Sequence, residues 1–531
     1  MNTVEITICV LIFATLGVSL TRKLHVPLEV LLLLGSLLLS FVPHLPHLDL
    51  NPELIFEVFL PPILFGAAYF TSWHDLKFNM RPIALLAIGL VLCTTFSLGF
   101  LLHWLIPGLP LTQALLLGAI VSPPDASAAS ALIRNFPIPR RLVAVLEGES
   151  LVNDATALVC YRFALAAVAT GEFSAGRAVT SFFWIASGGI IFGLAIGFGA
   201  YAILLRLRDS RAETLWSLLT AFACFLGAEH LGFSGVLATV AGGLYFGRML
   251  PSSGAASAKT RIESRASWEL VLFVINGLIF TLIGLQLPTI LSNLSGGITA
   301  TLLGYAAVTV AVVMGVRILW VFPATYLPRY LISSVAKRDP SPPWRVVVLL
   351  SWTGMRGIVS LAAALAIPIT LENGAPFPNR DLLIFLTYSV VLATLLIPAA
   401  TLPLMIRFFG LKDDGGPQRE EAKARVRSTE AVVEHFRKRQ VPTPMKPHLI
   451  QLQERYERRL KTVRSNLDPT PFSSLIDDDQ QLRRLTHEAL ALERKSLNEM
   501  RQKGEVHDEI FHALVQELDL EEMRLKTSPR L

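Results

Sequence analysis

Long apolar runs alternate with short polar connectors from residue 4 to residue 406, after which the chain changes character. A helix needs about 18 to 25 apolar residues to cross the hydrocarbon core of a bilayer. Such windows recur near 4–21, 26–43, 53–71, 82–106, 111–133, 142–170, 178–205, 213–230, 232–247, 267–288, 296–327, 345–369 and 382–406, which predicts an all-α membrane protein of about thirteen spans. The least distinct boundary is 230/232, where almost nothing polar separates two runs. The first run, Val4 to Leu20, has neither a basic segment before it nor a small-residue cleavage site, so it reads as a span and not as a cleaved signal. Beyond Gly410 the segment Asp413-Asp414-Gly415-Gly416-Pro417 marks a linker. Three sets then recur at helical spacing: Leu449, Leu452, Tyr456, Leu460 and Val463; Leu482, Leu485, Ala489 and Leu492; Phe511, Leu514, Leu518 and Leu525. The expected organisation is a transmembrane domain over 1–410 and a cytoplasmic tail of three or four short amphipathic helices over 411–531, either a solvated helical domain without catalytic content or one that regulates transport.

Charge sharpens this division. The chain is 52% hydrophobic and only 17% charged, with a mean hydropathy of +0.53, too apolar for an average soluble protein. Residues 411–531 nevertheless hold 23 of the 47 Lys+Arg and 22 of the 41 Asp+Glu. Basic residues in the remainder cluster in alternate connectors: Arg22 and Lys23, Lys77 and Arg81, Arg134 to Arg141, Arg206 to Arg211, Arg248 to Arg265, Arg329 to Arg345, and Arg407. The opposite set carries only Arg177 and Arg380. By the positive-inside rule this bias predicts an N-terminus outside, a C-terminus in the cytoplasm and an odd number of spans in the cell (inner) membrane. The net charge of +6 therefore reports topology and gives no argument for nucleic acid. Cys9, Cys93, Cys160 and Cys224 all lie in apolar runs, which suits packing better than disulfides or metal ligation.

Within the spans remain three basic residues, Arg162, Arg317 and Arg356, and the acids Glu29, Glu57, Asp125, Glu147, Glu149, Asp154, Glu229 and Glu269. Ionisable residues at membrane depth are costly and mark pathways or relays. In Gly148-Glu149-Ser150-Leu151-Val152-Asn153-Asp154, Ser150 and Asp154 share one helix face, while Glu149 and Asn153 form a second i,i+4 pair about 100° round the axis. A carboxylate and a hydroxyl on one face suit a hard alkali cation, and no His or Cys cluster suggests a transition metal. The plainer alternative is that Asp154 forms a salt bridge to a neighbouring helix. Two segments interrupt their spans: Ser122-Pro123-Pro124-Asp125-Ala126-Ser127, where consecutive prolines prevent a continuous helix, and Trp352-Thr353-Gly354-Met355-Arg356-Gly357, with two glycines around a buried Arg. Interrupted spans at corresponding places in two halves point to inverted repeats, here spans four to six and eleven to thirteen, around a midplane site. Asp125 and Arg356 would then compensate facing half-helix dipoles. Kinks that serve packing alone are the competing reading. Arg162 reads as a packing or snorkelling residue, and Glu29, Glu229 and Glu269, near span ends, read as structural or vestibule groups.

These motifs, together with Leu60-Pro61-Pro62-Ile63-Leu64-Phe65, Phe280-Thr281-Leu282-Ile283-Gly284-Leu285-Gln286 and Arg317-Ile318-Leu319-Trp320-Val321, resemble the CPA1 group of monovalent cation:proton antiporters, the bacterial NhaP-type and sodium/hydrogen exchanger relatives, over about residues 1–410. The resemblance implies that Asp154 carries cation and proton alternately, that Ser150 is a cation ligand, and that Asn153 orients the site. It also implies that Asp125, with the backbone near Pro124, contributes from the broken helix, that Glu149 pairs with Arg317, and that Arg356 sits at the helix crossing. Exchange of Na⁺, Li⁺ or K⁺ for H⁺ in a homodimer, with spans one to three and seven to nine as scaffold, is the implied activity. An Asn-Asp pair at 153–154 implies one proton for one cation. Two departures stand out. The broken helix reads Pro124-Asp125-Ala126 where the family often has Thr-Asp-Pro, leaving Ser122 or Ser127 to substitute, and Gly66 stands where many relatives carry an acid. No cofactor or enzyme chemistry is implied, since neither the tail nor the spans hold a phosphate loop, nucleotide fingerprint or nucleophile triad. A cation channel or a membrane sensor are the alternatives, although a channel gives no reason for a single proton-accepting Asp.

Overall fold

A computed structural model of the chain describes residues 12–17, 21, 28–41, 52–125, 129–130, 133, 140–170, 175–207, 209–252, 258–294, 297, 299–371, 374–410, 416–439 and 446–465, with short stretches between 486 and 522. The chain divides into two compact units, Met1–Lys412 and Asp413–Leu531. Among the described residues there is no strand, only an isolated bridge between Thr370 and Pro376.

The first unit runs through α1 (Leu28–Leu39), α2 (Pro52–Phe70), α3 (Trp73–Phe78), α4 (Met80–Leu105), α5 (Leu111–Val121), α6 (Arg140–Thr170), α7 (Ala175–Leu204), α8 (Ser210–His230) and α9 (Gly235–Ser252). It continues through α10 (Ala258–Leu285), α11 (Leu287–Ser292), α12 (Ala300–Leu331), α13 (Ser333–Arg338), α14 (Trp344–Trp352), α15 (Ile358–Leu365) and α16 (Arg380–Phe409). Seven segments are long and apolar enough to cross a membrane by themselves: Pro52–Phe70, Met80–Leu105, Arg141–Ala169, Thr180–Leu204, Thr260–Ser292, Ala300–Leu331 and Arg380–Phe409. Five of the other predicted windows coincide with α1, α5, α8, α9 and the pair α14 and α15. The first, 4–21, lies largely outside the described residues. At the indistinct 230/232 boundary the helix does stop: His230 is followed by a turn with Gly232 at φ +76°, and α9 starts at Gly235.

Helix ends follow from local chemistry. Ser72 caps α3 by accepting the Asp75 amide at 3.3 Å, and Asp209 caps α8 by accepting the amides of Arg211 and Ala212 at 3.0 Å. Pro123 and Pro124 prevent α5 from continuing past Val121 into the extended segment before Asp125. A wider π turn over Leu85–Leu90 in α4 leaves the Leu85 carbonyl to accept the Trp320 indole N–H of α12 at 2.9 Å.

Close helix approach needs small residues in a membrane, because lipid tails compete with apolar side chains. Gly189, Gly193 and Gly197 of α7 lie against backbone atoms of Ser234, Ala238 and Gly242, where a Cβ would crowd or overlap its neighbour. The opposite side of α7 shows Phe183, Trp184 and Ile191 to the outside, as a lipid-facing surface does. The apolar interior gathers α5, α15 and α16 around Leu116, Leu117, Leu361, Leu386 and Val390.

At the end of the bundle that bears the basic connectors, Asp339 joins three elements. It pairs with Arg81 of α4 at 2.7 Å, Arg141 of α6 at 2.6 Å and Arg329 of α12 at 2.8 Å. Burial pushes the Asp339 carboxyl up, but the hydrogen bonds and charges of Arg141 and Arg329 outweigh it and hold it below the usual carboxylate range.

In the second unit, α17 (Gly416–Lys438) and α18 (Lys446–Ser465) form an antiparallel hairpin. Arg437 pairs with Glu457 at 2.8 Å, Arg464 with Glu430 at 2.6 Å, and Phe436 meets Tyr456 edge to face at 5.8 Å between ring centroids. Leu449, Tyr456 and Leu460 are half-buried on α18 as the spacing predicts, but Leu452 is exposed. Of the later predicted tail positions, Leu482, Leu485, Phe511 and Leu525 lie outside the described residues, whereas Ala489, Leu492, Leu514 and Leu518 are helical.

Candidate ion-binding site

Helix α6 carries most of the site. Over Glu147 to Asp154 its side chains separate by face, as a period of 3.6 residues requires. Glu147, Ser150 and Asp154 line a cavity of about 400 Å³, while Glu149 and Asn153 are buried on other sides of the helix. Glu149 makes a two-pronged ion pair with Arg317 of α12, Oε1 accepting at 2.7 Å and Oε2 at 3.0 Å. Both side chains are 2% exposed or less, and Arg317 also reaches the Leu350 carbonyl at 3.3 Å. Gly354 makes room for that guanidinium, since a Cβ there would overlap it.

The two interrupted segments meet beside α6. Asn153 donates from Nδ2 to the Pro124 carbonyl at 2.6 Å, giving this buried carbonyl of the broken segment a side-chain partner. The Asp125 amide then donates to the Met355 carbonyl at 2.7 Å, so the α5 break is tied to the α14–α15 break. Gly357 is the closest approach: a Cβ at this position would collide with the Asp125 carboxylate. Arg356 is wholly buried at the crossing; its amide donates to Thr394 Oγ1 at 3.0 Å, and its guanidinium nitrogens have no hydrogen-bond partner among the described residues.

Asp154 is only 8% exposed, and among the described residues no Lys, Arg or His forms an ion pair with it. The salt-bridge alternative is therefore met by Glu149, five residues earlier, and not by Asp154. A buried carboxylate without a fixed cation requires a proton or a mobile cation for charge balance. Asp125 and Ser150 reach the same cavity, so carboxylate and hydroxyl oxygens converge there in the combination that suits a hard cation. Ser122 does not: its buried hydroxyl donates to the Ala119 carbonyl at 2.8 Å and it is not on the cavity wall. Ser127 lies outside the described residues.

The fold adds groups that spacing along the chain did not single out. Glu29, from the first turn of α1, lines the cavity, and its one sequence signal was a lone acid in an apolar run. Arg265 and Glu269 of α10, paired at 3.1 Å and 71% and 64% exposed, stand at its open end. Gly66 also lines it; a side chain there would press on Leu272 and Trp268 at 3.1 to 3.3 Å. Arg162, expected to pack or snorkel, instead forms an ion pair with Glu229 of α8 at 2.5 Å. That partner lies 67 residues away, beyond any helical period.

Comparisons with known proteins identify the family. Residues 8–407 match the family described as sodium/hydrogen exchanger, transmembrane. The chain is 38% identical over 381 residues to the sodium, potassium, lithium and rubidium/H⁺ antiporter of Bacillus pumilus, covering 70% of this chain and 56% of that protein, so it spans little more than half that relative's length. It is 33% identical over 516 residues to an uncharacterized Na⁺/H⁺ exchanger of Mycobacterium tuberculosis, covering 96% and 94% of the two chains. The structure of the sodium proton antiporter MjNhaP1 from Methanocaldococcus jannaschii superimposes with a TM-score of 0.54 at 19% identity, over 76% of this chain and 97% of that one, a likeness of fold. The chain therefore belongs to the sodium/hydrogen exchanger family, as an NhaP-type member of the CPA1 group, and is a multi-pass membrane protein.

Proposed function

We propose that this protein exchanges a monovalent cation for H⁺ across the cell membrane, with Asp154 carrying each in turn. The observation that carries the reading is a buried Asp154, with no ion-pair partner among the described residues, on the wall of a cavity shared with Asp125 and Ser150. Na⁺ is the cation proposed first, with Li⁺ and K⁺ ranked against it; the B. pumilus relative is named for all three and rubidium. Since one carboxylate binds a proton or a cation but not both, competition at Asp154 couples the two flows. Asn153 holds the Pro124 carbonyl and supplies no second charge, which supports a one-for-one, electroneutral exchange.

Alternating access follows from two bodies around this site. Spans four to six and eleven to thirteen would form a moving core of two inverted repeats, with Glu149–Arg317 as its internal staple and Arg356 at the crossing. The remaining spans would serve as the scaffold of a homodimer. The positive-inside bias supports an N-terminus outside, with the open end of the cavity, at Arg265 and Glu269, toward the cytoplasm. The tail over 411–531 is read as a cytoplasmic, regulatory helical domain.

The test uses proteoliposomes with an internal pH dye under clamped voltage, given Na⁺, Li⁺ or K⁺ outside. Wild type is expected to release protons on cation addition, and Asp154→Asn to release none. Absence of any response from folded wild-type protein would overturn the reading in favour of a channel or sensor.

A further inference from the structure

We infer that Arg162 and Glu229 form a latch that holds the pathway shut on the side of the site opposite the open cavity; this rests on the alternating-access reading above. Both ends of the argument lie on α6. Its cavity-lining residues run from Asp154 back to Glu147, toward the mouth at Arg265 and Glu269. Arg162 lies eight residues beyond Asp154 in the other direction, about 12 Å along the axis. Beyond Asp154, Ala155 and half-buried Leu158 join an apolar cluster with Phe225 of α8 and Val236 and Val240 of α9, a seal between helices assigned to core and scaffold that Leu151 borders from the cavity side. The 2.5 Å ion pair from Arg162 Nη2 to Glu229 Oε2 sits at the far side of this seal.

Glu229 is held for the task. Its second oxygen, Oε1, accepts the Gly235 amide at 2.9 Å across the α8–α9 turn, so the carboxylate belongs rigidly to the scaffold. The pair differs in kind from Glu149–Arg317. That pair is 1% to 2% exposed and stays within the core, whereas the Arg162 and Glu229 side chains are 46% and 29% exposed and join two bodies. An ion pair this exposed is weaker and more easily reopened than a buried one, which suits a contact broken and remade in each cycle and not one that maintains the fold.

The test measures exchange separately in membrane vesicles of each orientation, for wild type, Glu229→Gln, Arg162→Gln and the reversed pair Arg162→Glu with Glu229→Arg. Each single variant is expected to lower the apparent KM for cation added at the latched face roughly two- to fivefold and to raise it at the cavity face, and the reversed pair to restore the wild-type ratio. A KM ratio unchanged in both single variants, or a fall in rate equal from both faces, would overturn the latch while leaving cation-driven proton movement intact. Wild-type vesicles that move no protons on cation addition would instead remove the antiport reading itself.

Discussion

Two acids five residues apart on α6 meet opposite fates. Glu149 faces α12 and is neutralised by Arg317, while Asp154 faces the cavity and has no such partner among the described residues. Desolvating an ion pair is costly, and removing one member of it leaves the other charge buried alone, which costs about 3–5 kcal/mol. Arg317→Met should therefore lower thermal stability in detergent strongly. The double variant with Glu149→Leu should cost less than the sum of the single variants, a coupling of about 0.5–3 kcal/mol in a double-mutant cycle. Additive losses would show that the pair is not a unit. The resemblance of the motifs pointed to this pairing, but the spacing of residues could not, because 168 positions separate the partners.

At the scale of elements, Asp339 ties α4, α6 and α12 through three arginines. Asp339→Asn is expected to lower stability by about 2 kcal/mol at neutral pH, since charge-assisted hydrogen bonds to a partly buried carboxylate are lost. The sign of the pH dependence follows from a folded-state pKa held below the unfolded value of about 3.9. The contribution is present above that value and disappears as pH falls through the lower, folded-state value. Melting curves of wild type and Asp339→Asn should thus differ fully at pH 5 and above and converge below about pH 4. A difference that grows on acidification would refute the assignment. Element boundaries themselves were legible wherever local chemistry sets them: Pro123 and Pro124 end α5, and the segment from Thr353 to Gly357 parts α14 from α15.

For the whole molecule, the competition proposed at Asp154 would link folding to both substrates. Na⁺ that binds only the folded protein stabilises it by about 1.4 kcal/mol at tenfold excess over its Kd. The Tm of the purified protein should rise with Na⁺ at pH 8, and the rise should shrink as pH falls and protons take the same oxygen. Asp154→Asn should show no Na⁺-dependent rise at either pH. A rise that is independent of pH would separate cation binding from the proton site.

The amino-acid sequence by itself determined that the chain crosses a membrane many times, where two of its spans are interrupted and which α6 residues share a face. These are local matters, set by hydrophobic length, by proline and glycine backbone chemistry and by the 3.6-residue helical period. Only the tertiary structure decided which charges are neutralised. Glu29 enters the cavity from α1, Arg162 finds Glu229, and Asp339 gathers Arg81, Arg141 and Arg329 because separate helices bring them within ion-pair or cavity distance. Electrostatic energy depends on those separations and on burial, neither of which is written in the order of residues.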